Sequence, residues 1–294
     1  MRSISVVVPT RRLSTALRER CAGTAACLPG AELILCEPDD LGPLAAAAPL
    51  PAGWRLVRAP RGRGTQCNGG ARVATGELLM FLHDDTDLPQ DAGAVLEAAF
   101  RDPGLGMACF RLAFDQRHWL LGAYAWGSRF ESRLTTFGDQ AMTIRRDLFT
   151  TVGGFPDWPL FEDVELARRV RRCSRVAKLP SAVTTSASRF LANGPARQQL
   201  ANGLLLARFL LGAPPERLAA LYERQRGALP RGDAARVSTC GSASASWWGC
   251  LWSRVRCPMT RPATDALSMA SAILVWPSRA AWSVRRWHRS CLGP

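Results

Sequence analysis

The sequence predicts an α/β fold, a mostly parallel central sheet with helices on both faces. Three observations lead there. Short runs such as Ile4-Ser5-Val6-Val7-Val8 and Leu78-Leu79-Met80-Phe81-Leu82 are almost wholly apolar instead of alternating, which marks strands buried on both faces. Several of these runs stop in turn or acidic residues, the kind of carboxyl-end sequence at which an open α/β sheet presents its ligand site. Between the runs, apolar residues recur at helical spacing. The resulting order, strand–helix–strand–strand–helix–strand, is the one a parallel sheet with crossover helices needs.

Taken in order, residues 4–8 form the first strand, closed by Pro9-Thr10. Leu13, Leu17, Cys21, Thr24 and Leu28 share one helical face, so a helix is expected over 13–27. Residues 32–36 form the second strand, which ends in Glu37-Pro38-Asp39-Asp40, and residues 54–57 a short third one. A basic, Gly-rich turn from Pro60 to Asn68 then enters a helix running to about Ala74. After the strand at 78–82 a helix is expected over 91–100 and a strand over 106–113. Residues 119–130, rich in aromatics and Gly, suit a helix; plain core packing is preferred over a pocket wall. A helix is expected from 161 to about 172, short strands at 176–180 and 182–185, a strongly apolar helix at 200–211 and a last helix from Pro214 to about Tyr222.

A chain of 294 residues can bury a sizeable core. Its net charge of +14 points to anionic partners such as nucleotide phosphates, nucleic acid or an anionic membrane face. Arg carries that charge almost alone, since Lys178 is the only lysine. The ten cysteines include no C-x-x-C pair, so neither a zinc site nor a disulfide framework is supported, and a reducing cytoplasm is expected. Residues 4–8 are too short and too early for a signal-peptide core, and the longest apolar run, 270–276, falls well short of a membrane span.

From Gly227 the composition changes. Residues 227–294 hold six of the ten Trp and nine Arg against only Asp233 and Asp265. The chain therefore divides into a main domain, residues 1–226, and a basic Trp/Ser/Arg-rich extension, residues 227–294. A membrane-surface segment and a nucleic-acid-binding segment are both considered for that extension. Neither amphipathic spacing nor a recognisable module is present, so a poorly ordered extension is preferred.

Three groups of residues carry chemistry. His83, Asp84, Asp85 and Asp87 follow the apolar run 78–82, and three carboxylates in four residues are costly to hold together unless water or a cation neutralises them. The plainer reading is a solvated acidic turn. The turn Pro60-Arg61-Gly62-Arg63-Gly64 can offer backbone N–H groups and two guanidinium groups to phosphate, although it matches neither the P-loop nor the dinucleotide fingerprint. Glu162, Asp163 and Glu165 open a helix whose end is Arg-rich, which complements the helix dipole; a carboxylate in that first turn can also face a substrate.

Together these motifs resemble the family-2 inverting nucleotide-sugar glycosyltransferases of GT-A fold, and most nearly a small bacterial branch described only as glycosyltransferase-like. The matching segments are 4–10, 61–70, 76–89, 138–155, 160–169 and 184–188, and the resemblance covers about residues 1–226. In that branch the acidic motif usually reads Phe-Leu-His-Ala-Asp-Thr; here Phe81-Leu82-His83-Asp84-Asp85-Thr86 stands in its place. The resemblance implies that Asp85 holds a divalent metal, Mg²⁺ or Mn²⁺, on the donor diphosphate, with His83 near the ribose; Asp84 stands where a small residue is usual and is grouped with the nucleotide-sugar-binding residues, its role open. It implies that Pro9, Glu37, Arg61, Arg63, Gln66 and Asn68 lie along the nucleotide, and that Asp139 and Gln140 lie on the acceptor side. Glu162-Asp163 matches a Glu-Asp motif whose Asp is the general base. Two segments depart from the pattern: Arg12-Leu13 replaces an Asn-Glu pair, and Pro38-Asp39-Asp40 replaces a Gly-rich Ser-Thr-Asp segment.

The expected activity is metal-assisted transfer of a sugar from a nucleotide-diphosphate donor to a hydroxyl acceptor, with inversion. A hard cation on Asp85 neutralises the leaving diphosphate, and because few protein carboxylates are available, metal and nucleotide bind together. The alternative is a non-catalytic nucleotide- or sugar-binding protein on the same fold, favoured by the two departures. A third reading, a nucleic-acid-associated protein, rests on charge alone, and no specific nucleic acid is expected as a partner. The expected location is the cytoplasm, with peripheral contact at the inner membrane face left open.

Overall fold

The computed structural model of the protein describes residues 2–41 and 49–227. The basic extension, from residue 228 on, lies outside the described residues.

Chain order is β1 (Ile4–Pro9), α1 (Thr15–Cys27), β2 (Glu32–Pro38), β3 (Trp54–Ala59), α2 (Arg63–Val73), β4 (Leu78–Phe81), β5 (Thr86–Asp87), α3 (Ala92–Phe100), β6 (Leu105–Phe114) and α4 (Trp119–Gly127). A 3₁₀ turn (Gly138–Gln140) follows, then β7 (Met142–Arg145), α5 (Arg146–Thr151), α6 (Glu162–Cys173), β8 (Arg175–Thr185), α7 (Ser188–Asn193), α8 (Pro195–Leu210) and α9 (Pro215–Gly227). Among the described residues the strands form one eight-stranded sheet in the order β3-β2-β1-β4-β7-β6-β8-β5. The pairs β1–β2, β2–β3, β1–β4 and β6–β8 are parallel. β7 runs antiparallel to both β4 and β6, and β5 antiparallel to β8. The mostly parallel α/β sheet expected from the sequence is therefore present.

Why the runs lack alternation is visible in β1. Val6 and Val8 pack on one side with Leu17 of α1 and with Leu96 and Phe100 of α3. Val7 packs on the other with Cys67 of α2, Phe149 of α5 and Leu166 of α6. Both faces are covered, so every position but Ser5 is apolar, and each fully buried aliphatic side chain is worth about 1.5–3 kcal/mol. Gly70 lets α2 approach this second face closely. A Cβ there would stand 2.5 Å from Cγ1 of Val7 and 2.7 Å from Sγ of Cys36. That contact sets α2 with its first turn at the carboxyl end of the sheet.

Three expectations change. The helix expected from Leu13 begins at Thr15, because Ser14 caps it by accepting from the N–H of Leu17 at 3.1 Å. The two short strands expected around 176–185 are one strand, β8, whose register against β6 shifts between the pairs Cys109–Lys178 and Arg111–Ala182. Pro180 sits inside that shift and has no N–H to give the ladder. Plain core packing for the aromatic segment is corrected: Leu121 is the only buried residue of α4, and Trp119 and Trp126 face solvent. α4 lies against β6 and α8 at the rim of the sheet, so only one stripe of it has an interior to face.

Candidate active site

The carboxyl ends of β1 and β4, the first turns of α2 and α6, the 3₁₀ turn and the helices α8 and α9 enclose a cavity of about 710 Å³. That lies within the roughly 300–1,000 Å³ typical of small-molecule sites.

One wall is polar and basic. Pro9, Arg61, Arg63 and Gln66 line it. Arg61 is tied to Asp40 through two parallel hydrogen bonds of 2.8 Å at the exposed rim. Arg63, in the first turn of α2, lies 3.8 Å from Oε1 of the buried Glu162. Gln66 is buried and donates from Nε2 to the carbonyls of Thr10 at 2.8 Å and Cys36 at 2.5 Å. It thereby ties together the ends of β1 and β2 while bordering the cavity.

The acidic strand end lies next to this wall. His83, Asp84 and Asp85 all line the cavity. Asp84 accepts from the hydroxyl of Thr10 at 3.0 Å, which fixes it against the end of β1. Asp87 points away and pairs with Arg20. Among the described residues no three His, Cys, Asp or Glu side chains form a metal cage on their own. One or two carboxylates beside a basic, phosphate-sized space fit a hard cation that draws its remaining oxygens from a bound diphosphate.

An acidic wall, which meets the basic one where Arg63 approaches Glu162, holds Glu162, Asp163 and Asp139. Asp163 accepts from the N–H of Gly138 through Oδ2 at 2.5 Å and from the N–H of Val164 through Oδ1 at 2.8 Å. A Cβ on Gly138 would stand 3.1 Å from Oδ2 of Asp163 and 3.1 Å from Nε2 of His83. The 3₁₀ turn therefore joins the end of β4 to the start of α6. Burial, and then the neighbouring Asp163, push the Asp139 carboxyl up to about 7, against the pull of Lys178 and Arg63. Its Oδ1 is buried with no hydrogen-bond partner among the described residues. Burial and Asp163 also raise Glu162 well above the usual carboxylate range, with Arg63 opposing. Glu165, in the same helical turn, has a different task. Burial alone would raise it, but Arg168 and Arg169 bond to it and hold it below its ordinary range.

Both ends of this wall are held in unusual backbone. Ala141 (φ 49°) and Phe161 (φ 63°) are the non-Gly residues in the left-handed region among those described, a conformation that costs about 1–2 kcal/mol each. Phe161 stacks on Phe209 of α8 at 4.7 Å between ring centroids, which braces the entry to α6.

Other residues singled out from the sequence are not among those lining the cavity. Glu37 is buried, accepts from the N–H of Leu13 at 2.6 Å and lies 3.9 Å from Arg58. Asn68 exchanges two bonds with the backbone of Phe155, 2.9 Å to its carbonyl and 3.0 Å from its N–H. Gln140 donates to the carbonyl of Thr135 at 2.9 Å and accepts from Lys178. All three brace loops that carry cavity residues.

Sequence reasoning missed the far wall. Gln198, Gln199 and Asn202 of α8 and Tyr222 and Glu223 of α9 line the cavity. Gln198 donates to Asn202 at 2.8 Å. The signal was present, since three amides at spacing i, i+1 and i+4 interrupt an otherwise apolar helix. Lys178 was noted as the only lysine but given no role; it donates to the carbonyl of Thr135 at 2.9 Å and to Gln140.

No protein-family model matches this chain. No curated protein matches it either. Among solved structures it is similar to the mannosyltransferase PcManGT from Pyrobaculum calidifontis in complex with GDP-Man and Mn²⁺, with a TM-score of 0.52 at 18% identity, over 77% of this chain and 70% of that one. Its likeness to S. aureus TarS (1–349) has a TM-score of 0.49 at 15% identity, over 76% and 71% of the two chains. The likeness to PcManGT, together with the strand order and the flanking helices, identifies the fold as GT-A-like.

Proposed function

We propose that this protein is an inverting, metal-assisted glycosyltransferase that moves a sugar from a nucleoside-diphosphate donor to a hydroxyl acceptor. One observation carries the reading: Asp85, the Arg61–Arg63 turn and Asp163, far apart in the chain, line a single cavity on a GT-A-like fold. The PcManGT structure is described as holding GDP-Man and Mn²⁺, which supports a nucleotide sugar and a divalent cation as ligands here.

Arg63 and the first-turn N–H groups of α2 bind the diphosphate, with Arg61 at the rim. Asp85 holds Mg²⁺ or Mn²⁺ jointly with the phosphate oxygens. When bound, that cation supplies Lewis-acid neutralisation of the leaving diphosphate. His83 and Asp84 border the ribose side. Asp163, oriented by the N–H of Gly138, accepts the proton of the attacking acceptor hydroxyl. Asp139, raised to about 7, is available as a hydrogen-bond donor to the acceptor at neutral pH and below. A single displacement of this kind inverts the anomeric carbon.

Calorimetry with UDP, GDP, ADP and CMP, each with and without Mn²⁺, on the wild type and on Asp85→Ala, tests the reading. Metal-dependent binding of one nucleoside diphosphate, lost in the variant, is the expected result. A folded protein that binds none of them would overturn it.

A further inference from the structure

The cavity accounts for the inner side of α4 and α8 but not for their outer side. Trp119 is 78% exposed, Trp126 59%, Leu200 66% and Leu211 88%. On α4, Trp119, Ala123 and Trp126 recur at helical spacing on one exposed face, and Phe130 follows, edge-on to Trp126 at 5.0 Å. On α8, Leu200, Leu204 and Ala207 repeat the pattern, and Leu211 continues it just past the helix end. The two helices pack against each other, so these stripes lie on adjoining helices. Single exposed apolar residues need no explanation; two adjoining Trp/Leu stripes do.

Charge selects the occupant. Residues 116–130 and 186–215 contain no Asp or Glu. Arg117, Arg129, Arg197 and Arg208 are exposed in the same segments. Of the acids that flank these segments, Glu131 pairs with Arg171 and Asp115 accepts from the N–H of Ala187, while Glu216 sits in the first turn of α9. An apolar face rich in Trp and Leu, whose own segments carry Arg and no acid, complements an anionic lipid headgroup layer over acyl chains. It does not complement residues 228–294, which carry nine Arg against two Asp, nor a second copy of the same positive face.

We infer that α4 and the outer face of α8 dock this protein on the surface of an anionic lipid bilayer. α8 is then the partition between membrane and cavity: Leu200 and Leu204 face outward, while Asn202 and Leu206 line the cavity. An acceptor hydroxyl carried at the bilayer surface would enter beside them. This last step rests on the transferase reading; the docking itself does not.

The test uses the full chain and sedimentation with vesicles of phosphatidylcholine, alone or mixed with phosphatidylglycerol. The expected result is salt-sensitive binding to the mixed vesicles and little to the neutral ones. Trp119→Ser/Trp126→Ser, Leu200→Ser/Leu204→Ser and Arg129→Glu/Arg208→Glu should each weaken that binding by about tenfold or more. Thermal melts and nucleotide calorimetry on the same samples should match the wild type, because none of these side chains lines the cavity. Wild-type failure to bind overturns the inference. So do variants that bind as the wild type does, which assigns the binding to residues 228–294, and variants that instead split a dimer in sedimentation velocity, which assigns the face to a second copy. Vesicle binding without nucleotide binding keeps the docking and removes the transferase.

Discussion

The N–H of Gly138 donates to Oδ2 of Asp163 at 2.5 Å, across 25 residues of sequence. Through this bond the 3₁₀ turn sets where Asp163, the second carboxylate of α6, points. Gly138 does not need glycine for its own backbone, since its φ is not positive; it needs the space. In Gly138→Ala the new methyl would stand 3.1 Å from both Asp163 and His83. The expected outcome is a drop in kcat of about tenfold to a hundredfold, because a shift of about 1 Å in a catalytic group costs that much. The melting temperature should move by only a few degrees. Steady-state kinetics beside a thermal melt reads both.

Asp139 gives a pH signature. Its folded value of about 7 lies above the ordinary 3.8, so the native state holds the proton more tightly than the unfolded chain does. Its contribution to stability is therefore fully present below about pH 4 and is lost as pH rises through 7. Asp139→Asn should abolish that slope and stabilise the protein at pH 8 by about 1–3 kcal/mol, while slowing transfer. Urea titrations at pH 5 and pH 8, compared between the two proteins, measure it.

Lys178 holds two acceptors on one compact ammonium. In Lys178→Met the carbonyl of Thr135 keeps the Gln140 amide as donor and Oε1 of Gln140 keeps the N–H of Phe137. A loss of about 1 kcal/mol is expected from denaturant unfolding. Because Lys178 also pulls the Asp139 carboxyl down, the same variant should raise the Asp139 titration midpoint further, readable by carboxyl-carbon NMR.

Asn68→Ala removes both bonds to the Phe155 backbone and should cost about 1–3 kcal/mol. Nucleotide affinity in the folded fraction should stay within about twofold, since Asn68 is not among the residues lining the cavity. Calorimetry well below the melting temperature separates the two effects.

Most of the fold was legible because the sheet is buried on both sides. Residues 4–8, 32–36 and 78–82 had no face on which to alternate, and that is what a parallel strand looks like in sequence. The acidic strand end and the Arg turn were legible for the same local reason, as each lies within a dozen residues. What could not be read was division of labour. Gln66, Asn68 and Gln140 look alike as amides in the sequence, and only their partners (two strand ends, one turn, one lysine) tell a brace from a ligand. The exposure of Trp119 and Trp126 was equally hidden, because an aromatic helix at a rim has the composition of one in a core. The amides of α8 belong to a helix whose leucines drew the reading toward burial.

The insertion of β7 between β4 and β6 has a consequence for how the chain is made. β1, β2, β3 and β4 are neighbours in sequence and in the sheet, so the half of the cavity that they carry can assemble as it leaves the ribosome. β4 then presents an open edge until Met142–Arg145 has been synthesised and pairs against it. Only afterwards can β6 join, through β7, and bring the start of α6 opposite the finished half. The nascent protein therefore acquires the Arg61–Asp85 side of the cavity well before Asp163, and a premature stop between them would leave a half-sheet with an open edge.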